Sequence, residues 1–240
     1  MPKITLVEDD PVTRTIISAA ISTIGDVQIV STVQEAIPHV ADSDFVVTDY
    51  NLPDGRGTEV IKEAVANRVP YFLTSGDGLD LMHTHLDLAP HTIPKPVGVA
   101  ALKEMTETRI GQFDTMYESG LPLVFSYSKK SKDAYAAKIM IEGAGLARVV
   151  ATANDNRWME LARDLARTPA PLSILIADAD SDAGAQVIEM NATELRTSYI
   201  VLCGKDRENE MNHCVYPFEG DTFLDMVDSR LARADPGARI

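Results

Sequence analysis

Residues 45–61 read FVVTDYNLPDGRGTEVI. Phe45 to Thr48 is a short β-branched and apolar run, Asn51-Leu-Pro-Asp-Gly55 is turn chemistry, and a helical pattern begins near Gly57. A strand that leads through a loop into a helix is one step of a βαβ unit. Such units build a parallel sheet with helices on both faces, and ligands sit outside the carboxyl ends of its strands. Asp49 stands at that end.

Working outward, the same alternation fills residues 1–116. Strands are predicted at Ile4-Val7, Val27-Ser31, Phe45-Thr48, Tyr71-Thr74 and Thr92-Ile93, with helices beginning near Pro11, Gln34, Gly57, Leu79 and Val99. Asp10 can cap the first helix with Pro11 at its first position, and Val12, Ile16, Ala20, Ile21 and Ile24 make one apolar stripe. Pro38 is expected to cut the second helix short. Residues 117–122, YESGLP, break the pattern, and the alternation then restarts. Its strands are predicted at Leu123-Ser126, Arg148-Thr152, Ser173-Ala177, Tyr199-Cys203 and Cys214-Tyr216. Its helices begin near Lys132, Asn156, Ala183, Arg207 and Glu219, and residues 234–240 are expected to fray. Two halves with one element order imply a repeated fold. The domains are placed at 1–117 and 123–240, with 118–122 as linker.

A chain of 240 residues with 45% hydrophobic content can bury real cores in two domains of about 120 residues. Its net charge of -14 argues against a nucleic-acid grip, which needs clustered Lys and Arg. Residues 1–120 hold 18 Asp and Glu against 8 Lys and Arg, so the acidity concentrates in the first half. Only Cys203 and Cys214 occur, outside any C-x-x-C pattern, so they read as buried strand residues in a reducing cytoplasm. The start lacks a charged leader with an apolar core, and no apolar run approaches about 18 residues. No membrane span and no export are expected.

Polar residues cluster after the predicted strands: Glu8, Asp9 and Asp10 after the first, Asp49 after the third, Ser75 after the fourth and Lys95 after the fifth. Glu8, Asp9 and Asp49 would crowd together if their strands are neighbours. Such crowding is costly unless a hard cation neutralises it, and Mg²⁺, with its oxygen ligands, is the natural candidate.

This constellation resembles the receiver (response regulator, CheY-like) family of two-component signalling. FVVTDYNLPDGRGTEVI is similar to that family's phosphoacceptor strand and loop, YFLTSG to its switch strand, and IPKPV to its Lys-Pro pair. The resemblance implies α/β architecture: two flavodoxin-like (βα)5 domains with parallel sheet order 2-1-3-4-5 in each. It implies Asp49 as the nucleophile that takes a phosphoryl group. Asp9 and Asp49 would bind Mg²⁺ directly, Glu8 through water, and Asn51 by its main-chain carbonyl. Lys95 would pair with Asp49 and then with a phosphoryl oxygen, Ser75 would donate to another, and Pro96 would set a cis peptide after Lys95. Asn51, Gly76 and Asp77 resemble members whose acyl phosphate hydrolyses quickly. Thr92 departs from the pattern, because the family often carries an aromatic switch residue there.

Each feature has a plainer reading taken singly: Glu8, Asp9 and Asp10 as helix-capping carboxylates, and Asp49 to Gly55 as a turn. Their joint placement favours the functional one. His83, His85 and His91 could hint at a metal, yet residues two apart do not share a helix face, so a solvated helix is preferred.

In the second half the aligned pattern puts Tyr127 and Ser128 where Glu8 and Asp9 stand, Cys203 at Ser75 and Tyr216 at Lys95. Asp178 and Asp180 lie near the acceptor position. That half reads as a degenerate receiver. The expected partners are a sensor histidine kinase or histidine phosphotransfer protein, and an effector protein or self-association, with no nucleic acid and no membrane. The chain is expected to be a phosphoacceptor rather than an enzyme. Open alternatives are a Mg²⁺-dependent phosphohydrolase in the second half, the sensory portion of a longer enzyme, and a phosphate shuttle or sink.

Overall fold

Lys3–Val7 (β1) pairs in parallel with Asp26–Val30 (β2) on one side and with Phe45–Asp49 (β3) on the other. Beyond β3 lie Tyr71–Ser75 (β6) and Thr92–Pro94 (β7), all parallel, so the sheet order is β2-β1-β3-β6-β7. Counted along this sheet, that is 2-1-3-4-5. Between β3 and β6 the chain makes a small antiparallel hairpin of Asn51–Leu52 (β4) and Gly55–Arg56 (β5), which periodicity did not foretell. The computed structural model describes residues 1–96, 98–113, 120–129, 131–153, 157–168, 172–178, 183–195, 197–203, 213–215 and 220–234.

Helices Pro11–Ile21 (α1), Val33–Val40 (α2), Gly57–Ala66 (α3), Gly78–Thr84 (α4) and Val99–Arg109 (α5) complete the first unit. Strands β3 and β6 are buried at every position, which is why they read as continuous apolar runs. Val46, Leu73, Val60 and Ala36 join one core between the sheet and α2 and α3. Asp10 caps α1 by accepting from the Thr13 N–H at 2.7 Å, with Pro11 in the first turn. The predicted stripe is corrected: Ile17, Ala20 and Ile21 face inward, whereas Val12 (65% exposed) and Ile16 (47%) do not. Helix α1 carries apolar residues over a wide arc, and packing selects which part of it is covered. Pro38 does not end α2, which continues to Val40 because Val33, Ala36 and Val40 are held in the core. Two donors open that helix: Val33 and Gln34 N–H both donate to the Asp54 carboxylate, at 2.8 and 3.0 Å, and hold its pKa below the ordinary value.

The chain divides into compact units Met1–Ser119 and Gly120–Ile240. In the second, Leu123–Tyr127 (β8), Arg148–Thr152 (β9), Leu172–Asp178 (β10), Ser198–Cys203 (β11) and His213–Val215 (β12) form a parallel sheet in the order β12-β11-β10-β8-β9. Taken from its other edge this is again 2-1-3-4-5. Its helices are Ser131–Gly143 (α6), Trp158–Ala166 (α7), Ala183–Met190 (α8), which runs into a π-helical turn at Asn191–Leu195, and Gly220–Ala234 (α9). Trp158 stacks on Tyr127 at 4.8 Å and on Phe125 at 6.3 Å. Lys138 and Glu142, one turn apart on α6, form a fully buried ion pair at 2.7 Å. Lys138 Nζ also donates to the Val149 carbonyl, and the Val149 N–H donates to Glu142 Oε1 at 2.8 Å. The pair thereby binds edge strand β9 through its main chain. The predicted helix near Arg207, Asn156, Asp180, Tyr216, linker residues 118 and 119 and the tail beyond 234 lie outside the described residues.

Candidate functional site

Parallel register decides what meets at the carboxyl end of the first sheet. Val7 lies opposite Thr48, so the next residues, Glu8 and Asp49, emerge side by side. Glu8, Asp9 and Asp49 each offer an oxygen, and these lie within 4.8 Å of one another. Glu8 is fully buried, Asp49 is 8% exposed and Asp9 is open to solvent. Lys95 enters from the end of β7, where its ammonium lies 2.8 Å from Glu8 Oε2 and 3.1 Å from Asp49 Oδ1. Its own N–H donates to the Ser75 carbonyl at 2.8 Å, and the Lys95–Pro96 peptide is cis.

Tyr50 N–H also donates to Asp49 Oδ1, at 2.8 Å. Oδ1 is thus engaged by two donors. Ser75, fully buried, accepts at Oγ from the Asp77 N–H at 3.1 Å, which leaves its hydroxyl proton to donate. Beside Gly76 a Cβ would meet nothing within 4 Å, so that side of the site is open. Thr92 is buried, its hydroxyl donating to the Leu88 carbonyl at 2.9 Å, and so ties the turn before β7 to its own strand.

Two residues were missed in the sequence. A Cβ at Gly57 would lie 2.0 Å from the Asp49 carbonyl oxygen, so the start of α3 can approach the end of β3 only as glycine. Across the hairpin, Arg56 opposes Asn51 and donates from Nη1 to Asn51 Oδ1, while its guanidinium lies 5.0 Å from the centre of the Tyr50 ring. No local pattern announces that contact, because it exists only once the hairpin closes.

Burial raises the pKa of Glu8 and of Asp49 despite the hydrogen bonds and charge of Lys95. For Lys95 burial acts downward, but the Glu8 hydrogen bond and the two carboxylate charges outweigh it and the ammonium is held more firmly. A carboxyl whose pKa is higher in the folded state is destabilising when ionised, and that cost disappears as pH falls through the folded value toward the ordinary carboxylate range. Asp49→Asn is therefore expected to raise the melting temperature at neutral pH, by a margin that shrinks on acidification below neutrality. A margin that grew as pH fell would contradict the burial of an ionised Asp49.

In the second unit the register corrects the sequence alignment by one residue. Tyr127 lies opposite Ala177, so Ser128, not Tyr127, stands beside Asp178 as Glu8 stands beside Asp49. The main chain agrees: Glu8 N–H donates to Val30 and Ser128 N–H to Thr152, the last residues of β2 and β9. Lys129 then takes the place of Asp9. Tyr127 is a core residue on Trp158, an alternation of faces that sequence alone could slip by one. Asp178 Oδ2 accepts from the Ser128 hydroxyl and from the Lys129 N–H at 2.9 Å, while its buried Oδ1 has no hydrogen-bond partner among the described residues. Cys203 pairs with Val215 as Ser75 pairs with Pro94, which keeps Cys203 at the Ser75 position.

Among the described residues, the one group of three acidic, histidine or cysteine side chains close enough to hold an ion is Glu8-Asp9-Asp49, and no histidine belongs to it. His91 is buried instead, its Nδ1 3.3 Å from Arg109 Nη1 and its ring 5.3 Å from Tyr71. Guanidinium can only donate, so Nδ1 accepts. No described helix is long and apolar enough to cross a membrane.

No family model and no curated protein matches the chain. Solved structures do. The receiver domain of a sensor histidine kinase from Pseudomonas aeruginosa PAO1, with magnesium coordinated in its active-site cleft, is 26% identical; the match covers 46% of this chain and 98% of that one, with a TM-score of 0.41. A CheY-like receiver domain from Methylobacillus flagellatus is 22% identical over 45% of this chain and 98% of its own, with a TM-score of 0.40. A structure described as a two-component response regulator/GGDEF domain protein is 16% identical, covering 98% of this chain and all of that one at a TM-score of 0.39.

Proposed function

We propose that the first unit is a phosphoryl-accepting receiver of bacterial two-component signalling, with Asp49 as acceptor, and that the second is a receiver fold without that chemistry. The observation that carries this reading is the Lys95 ammonium bridging Glu8 and Asp49 beside the exposed carboxylate of Asp9.

Three carboxylates in one cluster are the donor set of a hard divalent cation. Asp9 and Asp49 would hold Mg²⁺ directly, Glu8 through water, and Asn51 by its main-chain carbonyl; when bound, the ion would supply positive charge to the phosphoryl oxygens. Asp49 Oδ2 attacks phosphorus as the P–N bond of a donor phosphohistidine breaks, its electron pair passing to the imidazole nitrogen. The new O–P bond is an acyl phosphate. Lys95 leaves Asp49 Oδ1 for a phosphoryl oxygen and the Ser75 hydroxyl donates to another. Positioning and charge are what this transfer needs, and the Lys95 ammonium beside Asp49 supports the reading. A sensor histidine kinase or phosphotransfer protein would be the donor. Output would pass by protein contact, to an effector or a second copy, in the cytoplasm.

Exposure of the full chain to Mg²⁺ and a small phosphodonor should add the mass of one phosphoryl group, located on Asp49, and Mg²⁺ alone should shift the amide resonances of Glu8, Asp9 and Asp49. Modification elsewhere, or shifts centred on Asp178, would overturn the reading.

A further inference from the structure

We propose that Arg56 prolongs the Asp49 acyl phosphate by holding the Asn51 side chain, an inference that rests on the receiver reading above. Asn51 and Arg56 are paired directly across the hairpin that follows Asp49. Arg56 donates to Asn51 Oδ1, and the face of its guanidinium is supported by the Tyr50 ring. The hairpin is itself fixed. Gly57 N–H donates to the Tyr50 carbonyl at 2.9 Å, Arg56 N–H donates to Glu59 Oε1 at 3.1 Å, and Asp54 is bound to the start of α2. The Arg56–Asn51 contact is therefore the consequence of a closed loop rather than of two loose surface side chains.

Loss of the phosphoryl group is a hydrolysis. A water oxygen bonds to phosphorus, the bond from phosphorus to Asp49 oxygen breaks, the electron pair returns to the Asp49 carboxylate, and the water proton leaves with inorganic phosphate and solvent. A neighbouring acceptor that takes a hydrogen bond from the water turns its lone pair toward phosphorus, whereas a donor occupies that lone pair. In Asn51 the acceptor is Oδ1 and the donors are on Nδ2. Arg56 engages Oδ1. What remains for a water at this position is the donor end, which slows attack.

The test is a double-mutant cycle on the full chain, following decay of label from the phosphorylated protein after donor removal, with Mg²⁺ present. Arg56→Ala should decay severalfold faster than the parent. In an Asn51→Ala background, which keeps the main-chain carbonyl, the same substitution should change nothing. Arg56→Lys, which retains a donor for Oδ1, should decay nearer the parent than Arg56→Ala does. Without phosphate or metal, the Asn51 side-chain amide resonances should move in Arg56→Ala. An unchanged or slower decay, an equal acceleration in both backgrounds, or unmoved amide resonances would overturn the inference alone. A parent chain that takes up no label would overturn the receiver reading, and this inference with it.

Discussion

Asp49→Asn should abolish phosphate incorporation, and Asp178→Asn should incorporate like the parent. Both aspartates end the third strand of a five-stranded parallel sheet and occupy matching places in it. Their surroundings separate them. Asp49 has Glu8, Asp9, Ser75 and Lys95; Asp178 has Ser128, Lys129 and Cys203 at the first three of those positions. Removing one preorganised electrostatic contact costs about 3 kcal/mol of barrier, so two such losses slow transfer by roughly four orders of magnitude. Label on Asp49→Asn that disappears on adding Asp178→Asn would make this a two-acceptor protein and refute the division of labour.

Lys138→Met should destabilise the second unit by about 3–5 kcal/mol, because it leaves the Glu142 carboxylate buried without its cation. Both side chains are only 2% exposed, and both bind the main chain of Val149. Lys138→Met combined with Glu142→Leu should recover much of the loss, since no lone charge is then buried. The readout is direct: the protein has one tryptophan, Trp158, stacked in the core of this unit, so its fluorescence during urea unfolding follows this unit. An unchanged midpoint for Lys138→Met would show that the pair contributes nothing net. A double variant less stable than the single one would show that the Val149 hydrogen bonds, rather than the charges, are what matters.

Much of this protein was legible in its sequence, for reasons that are local. Strands buried on both faces, such as Phe45–Asp49 and Tyr71–Ser75, must be continuous apolar runs, and the helices between them must start at residues such as Asp10 and Pro11 that satisfy free N–H groups. Their alternation leads to a parallel sheet, and a parallel sheet collects whatever follows its strands at one end. Glu8, Asp9, Asp49, Ser75 and Lys95 were therefore identifiable as neighbours before any coordinates. Which arc of α1 is covered depends on its packing, and so Val12 and Ile16 were misassigned. Strand register decided the second unit, because a slip of one residue exchanges faces: Tyr127 belongs to the aromatic core, and Ser128 and Lys129 meet Asp178. Tertiary closure likewise made the Arg56–Asn51 contact, the approach of Gly57 to Asp49 and the burial of Lys138 with Glu142. Sequence determines where the chain turns and which groups follow each strand; distances, burial and the choice of partner for each polar atom arise only when distant segments share one volume.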